Sequence, residues 1–443
     1  MNRREFLGSL AAAPLMAAAA KPNIVLFVAD DLGYGGIGVQ GCDIPTPNID
    51  GIARAGVRFT SGYVSCPVCS PTRAGLMTGR YQQRFGHEFN PGPANQAQDN
   101  FGLPLTETTL ADRMKKLGYA TGMTGKWHLG YRPEYLPTRR GFDEFYGFPG
   151  GAHSYLTPDD RAGNPVMRGT EPVKEEKDYL TDAIGREAVS FVERRKSDPF
   201  FLYVPFNAVH TPMEAVEKYK ARFPKIQDER RRTHAAMLSA MDDAIGRVMA
   251  AVRKAGKEND TLFVFVSDNG GPTPQNTSSN KPLRGFKAQV YEGGIRVPFL
   301  MQWNGRIKPG TTYDRPVIAL DIHATAARAA GAELPANLDG VDLLPFVNGA
   351  NKGAPHEALY WRFGPQSAVR LGDWKMLRFN GGAEVYDLAA DIGESRDLAS
   401  SRPEKLRELR TAWDKWNAQL EQPRWSRGGE AKGGGKKKRK RDR

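Results

Sequence analysis

The sequence predicts an α/β fold: a large, mostly parallel sheet flanked by helices, followed by a smaller antiparallel sheet closed by one helix. Two observations carry this reading. Short apolar runs alternate with helical patterns as far as a Pro/Gly-rich stretch at 349–355. Beyond it, four short strand-like segments at 357–362, 367–371, 374–379 and 383–388 lead into an amphipathic pattern at 405–420, with Leu406, Leu409, Trp413 and Trp416 inward.

The elements of the first part are punctuated clearly. Residues 24–28 form a strand that ends at Ala29-Asp30-Asp31. Residues 200–204 form a second, running toward His210, and 262–266 a third, ending at Ser267-Asp268-Asn269. A helix is expected over 109–117, with Leu110, Met114 and Leu117 on one face and Gly118 as its stop. A longer one is expected over 232–254, where Met237, Met241, Ile245, Val248 and Val252 recur at helical spacing before Gly256. That face is core packing. No internal repeat is present.

The chain has 443 residues, enough for one large domain and a smaller appendage. Four parts are expected: an export signal at 1–20, a main domain at 21–354, a C-terminal subdomain at 355–425 and a basic tail at 426–443. Arg3-Arg4 followed by Phe6-Leu7 and an Ala-rich run to Ala20 has the pattern of a twin-arginine export signal, with small residues before Lys21 for cleavage. The mature protein is therefore expected outside the cytoplasm, periplasmic or extracellular, after passage through an export translocon. No run approaches the roughly 20 apolar residues of a membrane-spanning helix. Of the net charge of +13, the tail supplies +7, with nine Lys/Arg against Glu430 and Asp442. Such a Gly/Lys tail is expected to be disordered. In an exported protein it meets anionic polysaccharide or a cell surface, or stays solvated, rather than binding nucleic acid. The 3 cysteines are Cys42, Cys66 and Cys69, an odd count that leaves two to pair or stay free if one is chemically consumed.

The densest chemical signal is Cys66-Pro67-Val68-Cys69-Ser70-Pro71-Thr72-Arg73, continuing to Thr78-Gly79-Arg80. Pro71 suits the first turn of a helix. Cys69 then stands at a helix N-terminus, where N–H groups and the dipole favour an anion. Arg73 lies one turn on, on the same face. Asp30-Asp31 and Asp268-Asn269 each follow a strand, and in open α/β sheets ligands gather at the carboxyl ends of strands. Three carboxylates and an amide oxygen make a hard donor set suited to Ca²⁺ or Mg²⁺. Taken singly, Asp-Asn-Gly is also a turn and Asp-Asp a helix cap. Gly125-Lys126-Trp127-His128 places a Lys and a His two apart, on one side if the segment is extended. His210 follows a strand, and Lys287 precedes Tyr291-Glu292-Gly293-Gly294-Ile295-Arg296.

The run from Cys69 resembles the C-x-P-x-R signature of type I, formylglycine-dependent sulfatases, in the arylsulfatase and N-acetylgalactosamine-6-sulfatase branch. Thr72 departs mildly from the Ser or Ala commoner there, and Cys66 has no Pro or Arg at the required spacing. The resemblance runs over about residues 22–420 in the family's motif order. It implies an alkaline-phosphatase-like fold. It implies oxidation of Cys69 to formylglycine by a formylglycine-generating or anaerobic sulfatase-maturating enzyme. Asp30, Asp31, Asp268, Asn269 and the modified Cys69 are then the metal ligands, for Ca²⁺ or, as the alternative, Mg²⁺.

The implied chemistry gives each cation a task. The hydrated aldehyde presents one hydroxyl to the metal and the other to sulfur, and Arg73 and Lys126 hold and polarise the diol. Lys287 grips the sulfate, and His210, aided by Lys287, protonates the leaving alcohol. His128 takes the second hydroxyl's proton, so that sulfate leaves by elimination. Lys126, His210 and Lys287 also contact the substrate, expected to be a sulfated carbohydrate or aryl sulfate. His87, Asn90, His153, Tyr155 and Arg362 are further loop candidates for the pocket wall. Two other readings stay open: a phosphodiester or phosphonate hydrolase of the same superfamily, and a non-catalytic exported glycan-binding protein. Sugar identity, endo or exo action and oligomeric state are not legible.

Overall fold

The computed structural model describes residues 21–426 apart from 97, 99, 159–162 and 380. The segment expected as an export signal, and the tail beyond Ser426, lie outside the described residues. A ten-stranded mixed sheet forms the frame. Its spatial order is Thr311–Tyr313, Val57–Phe59, Phe299–Gln302, Thr261–Ser267, Asn23–Ala29, Phe200–Pro205, Ala120–Lys126, Glu144–Phe148, Met167–Arg168 and Glu171–Pro172. The five strands from Thr261–Ser267 to Glu144–Phe148 run parallel, and antiparallel pairs flank them.

The central strand, Asn23–Ala29, pairs in parallel with both Thr261–Ser267 and Phe200–Pro205. Every residue of these three strands is buried. Parallel strands covered on both faces are apolar without alternation, which is why their runs read so plainly. Ile24, Leu26 and Val28 face a core shared with the helices Cys69–Thr78 and Leu320–Ala329. Val25, Phe27 and Ala29 face the opposite core, under Leu180–Arg195 and Glu229–Lys254. The first strand thus lies mid-sheet, with the chain crossing to either side of it. That is the topological switch at which ligands gather at the carboxyl ends.

Helix ends follow their capping chemistry. Leu110–Lys116 starts from a capping box in which Thr109 and Asp112 each accept from the other's backbone N–H, and Gly118 follows at φ +80°. The long helix starts at Glu229, earlier than the apolar repeat predicts, because Asp228 accepts from Arg231 N at 2.6 Å. The four C-terminal strands are Ala358–Phe363, Gln366–Leu371, Trp374–Phe379 and Gly382–Asp387, each within a residue of its expected span and all antiparallel. The helix beyond them runs Pro403–Asn417, shifted toward its N1 proline from the expected 405–420. Leu409, Trp413 and Trp416 are buried as expected, and Leu406 is partly buried. Trp361 donates to Val64 O at 2.7 Å and ties this small sheet to the main body. Among the described residues no helix is long and apolar enough to cross a membrane.

Candidate active site

Four adjacent strands deliver the chemistry to one place. Asp30 and Asp31 follow Asn23–Ala29, and Asp268 and Asn269 follow Thr261–Ser267. Lys126 ends Ala120–Lys126, and His210 follows Phe200–Pro205. Cys69 is the first residue of the helix Cys69–Thr78, and Val68 is its extended N-cap. Cys69 Sγ lies 3.7 Å from Asp30 Oδ1. Donor atoms of Asp30, Asp31, Cys69 and His210 all lie within 4.8 Å of one another.

Cations surround these carboxylates. Lys126 Nζ is 2.7 Å from Asp30 Oδ2, and Lys287 Nζ is 2.7 Å from Asp31 Oδ1. Arg73 donates through Nε and Nη2 to Asp268 Oδ2, at 3.0 and 2.6 Å. His210 Nε2 stands 3.5 Å from Asp31 Oδ2. Burial opposes the charge on Asp30, yet Lys126, His210, Arg73 and Lys287 together hold its carboxyl below the ordinary range. Burial and the neighbouring Asp30 push Asp268 up to about 6, against the pull of Arg73. Burial alone would discharge Lys287, and Asp31 beside it raises its pKa instead. Burial pushes the Cys69 thiol up to about 12, so at neutral pH it is a thiol and a weak nucleophile.

All ten predicted residues converge here, though two do so differently from expectation. His128 is not on an extended segment. The strand ends at Lys126 and His128 adopts φ +60°, in the left-handed region. It is nonetheless buried near Lys126, Arg73, Asp30 and His210, and burial keeps it neutral. Asp268 turns its Oδ2 to Arg73 and accepts Asp31 N on Oδ1 at 3.2 Å. It stands outside the tightest donor group.

The donor chemistry fits a hard cation. Asn269 Nδ2 donates to Asp31 Oδ1 at 2.7 Å and to Gly270 O at 2.9 Å, which fixes the amide orientation. Asn269 Oδ1 is then left buried with no hydrogen-bond partner among the described residues. An orphaned carbonyl oxygen beside two buried carboxylates suits an oxygen-coordinated divalent ion.

The wall candidates are each bonded to neighbouring groups. His87 is buried, with Nε2 2.7 Å from Ser70 Oγ, and Ser70 Oγ donates to His128 O at 2.6 Å. Asn90 Oδ1 accepts from Ser70 N at 3.0 Å. Tyr155 is buried, its hydroxyl 2.7 Å from His210 O. Arg362 is a strand residue, not a loop one, and bonds Glu88 Oε2 at 2.8 Å. His153 is buried, with Nδ1 2.8 Å from Ser154 O. Cys42, Cys66 and Cys69 are all free thiols.

Carboxylates and paired cations gathered around one nucleophilic position at a sheet's carboxyl edge suit the hydrolysis of anionic esters, and that defines the class. The sulfatase family profile matches residues 22–332, and a profile described as the N-sulphoglucosamine sulphohydrolase C-terminal region matches 286–419. Human arylsulfatase A is 34% identical over 437 residues, covering 90% of this chain and 83% of that protein. Mouse N-acetylgalactosamine-6-sulfatase is 33% identical, covering 84% of this chain and 75% of its own length. The crystal structure of Ps i-CgsB in complex with k-i-k-neocarrahexaose superposes with a TM-score of 0.87 and 37% identity, covering 92% of this chain and 95% of that one. The chain belongs to the sulfatase family and is a sulfuric ester hydrolase.

Proposed function

We propose that this sulfatase removes sulfate from a sulfated carbohydrate, using a formylglycine derived from Cys69 and one divalent cation, Ca²⁺ or Mg²⁺. The observation that carries the reading is the placement of Cys69 Sγ at 3.7 Å from Asp30, inside a group completed by Asp31 and His210. Oxidation of Cys69 supplies a hydrated carbonyl where the buried thiol is inert. The cation, held by Asp30, Asp31, Asp268, Asn269 and residue 69, supplies a Lewis acid.

The remaining work falls to this chain's own groups. Arg73 and Lys126 hold residue 69 through the carboxylates they pair with. Lys287 Nζ neutralises the sulfate oxygens, and His210 Nε2 delivers a proton to the leaving alcohol oxygen. His128, kept neutral by burial, accepts the proton that releases the product. Lys126, His210 and Lys287 also orient the substrate. The carbohydrate assignment is supported by the neocarrahexaose complex and by the N-acetylgalactosamine-6-sulfatase relatives.

The wider assignments follow from the same reading. Residues 21–354 form the catalytic domain, 355–425 a subdomain beside it, 1–20 a twin-arginine export signal and 426–443 a basic tail. The partners are a maturating enzyme and an export translocon, and the site of action is periplasmic or extracellular. Intact-mass analysis of active enzyme tests the core of this reading. Residue 69 is expected ~18 Da lighter than cysteine, as thiol-to-aldehyde conversion requires. Full activity with unmodified Cys69 overturns it. A desulfation screen over defined sulfated oligosaccharides then identifies the sugar.

A further inference from the structure

The hairpin that opens the small sheet reaches back to both loops flanking Cys69. Its turn is Gly364-Pro365, with Gly364 at φ +59°, between Ala358–Phe363 and Gln366–Leu371. On one side, Gly364 N and Arg362 Nε donate to the two oxygens of Glu88, at 3.0 and 2.8 Å. Glu88 lies between His87 and Asn90, whose side chains bind Ser70. On the other side, Gln366 meets the loop that carries Lys287.

That contact is double. Gln366 Oε1 accepts from Val290 N at 3.2 Å, and Gln366 Nε2 donates to Ala288 O at 2.9 Å. One partner is an N–H and the other a carbonyl, so the amide has a single satisfying orientation. The clamped segment needs it. Ala288 sits at φ +68°, a conformation costly for a residue with a Cβ. Its N–H donates to Pro67 O at 2.8 Å, two residues before Cys69. Farther along, Glu292 N donates to Glu394 Oε2 at 2.7 Å, and Lys375 Nζ lies 2.8 Å from both Glu292 Oε1 and Glu394 Oε1. The small sheet and the segment that follows it therefore hold the Lys287 loop at several points, Arg284 to Tyr386 and Tyr291 to Glu384 among them, and Gln366 is the one next to Lys287.

We propose that Gln366 is a positioning residue: by fixing Ala288 and Val290 it sets Lys287 Nζ against Asp31, and so against the sulfate. The proposal rests on the sulfate-binding role given to Lys287 above. It makes the small sheet part of the catalytic apparatus without any contact to the reacting atoms.

Gln366→Met keeps the length of the side chain and removes both hydrogen bonds. Gln366→Glu keeps only the acceptor for Val290 N, and serves if the first variant fails to fold. Two measurements decide. The first is kcat/KM for an aryl sulfate, compared in the wild-type and Lys287→Ala backgrounds at high enzyme concentration. The second is deuterium uptake of 286–291 in the matured enzyme. In Gln366→Met, uptake rises at 286–291 with the rest of the small sheet unchanged, and kcat/KM falls about tenfold, the scale of a sub-ångström misplacement. In the Lys287→Ala background the same change costs less than about twofold, because the residues act as one unit. Equal losses in both backgrounds, unchanged kcat/KM, or unchanged uptake at 286–291 each overturn the positioning role. A fully active Lys287→Ala enzyme sinks the reading of Lys287 instead, and uptake still reports separately on the clamp.

Discussion

Arg73 and Asp268 form a buried forked pair, with Nε and Nη2 both on one carboxylate oxygen and neither side chain exposed. Arg73 Nη1 also donates to Lys126 O at 3.1 Å. One guanidinium thus links the Cys69 helix, the Thr261–Ser267 strand and the Ala120–Lys126 strand. Removing it strands a carboxylate in the interior. Arg73→Met is expected to lower the unfolding free energy by about 3–5 kcal/mol, the usual cost of breaking a buried pair. Urea unfolding measures it. A variant as stable as wild type means that the pair does not hold the site together.

Asn269 carries the expected sensitivity to metal. Its buried Oδ1 has no partner among the described residues, and its amide nitrogen orients Asp31. Free ion at 100 times its dissociation constant stabilises a folded protein by about 2.7 kcal/mol. Chelation is therefore expected to lower the melting temperature and abolish activity, and Ca²⁺ to restore both. Asn269→Leu should blunt the rise in melting temperature on adding Ca²⁺. A wild-type melting curve indifferent to chelator and Ca²⁺ alike contradicts the cation site.

The sequence revealed what is local. The three central strands are apolar on both faces, so Asp30, Asp268 and His210 are found at the ends of plain runs. Cys69 is marked by its helix start and by Arg73 one turn on. Short strands such as Val57–Phe59 and Phe299–Gln302 carry too few residues for a periodic signal, and they form because the sheet already offers a partner. Ala120–Lys126, with two glycines, does not look like a strand, but Phe191 and the backbone of Pro205 press against it where a Cβ would stand. The supports were illegible for another reason. Gln366 and Ala288 lie 78 positions apart, and Arg362 and Glu88 lie 274 apart. Nothing local in either segment announces its partner.

Cys69 separates folding from chemistry. Its side chain is small and its Sγ makes only a long contact to Asp30, so Cys69→Ala should fold with a melting temperature close to wild type. Activity should fall by about a thousandfold or more, as for loss of a nucleophile. Cys69→Ser tests the second hydroxyl. Its Oγ can attack sulfur while the S–O bond to the alcohol breaks and the alcohol leaves protonated. The resulting sulfate ester has no geminal hydroxyl to expel it, so mass spectrometry should find a persistent sulfate ester at position 69 of that variant. Sustained turnover by the same protein contradicts release by elimination.

His356 gives the pH dependence of stability a definite sign. Its Nε2 lies 2.8 Å from Asp321 Oδ1, on the helix Leu320–Ala329, just before the small sheet begins. Burial works against its charge, but the Asp321 carboxylate wins and raises its pKa above the ordinary histidine value. The folded protein therefore binds this proton more tightly than the unfolded chain. The stabilisation is complete below the unfolded pKa of about 6.5 and is lost as pH rises through the higher folded value. His356→Gln keeps a donor but no charge. The stability gap between wild type and His356→Gln in urea unfolding should be largest near about pH 5.5 and shrink above neutrality. A gap that widens with rising pH means that the imidazole is neutral in the folded state, with Asp321 bonding an uncharged ring.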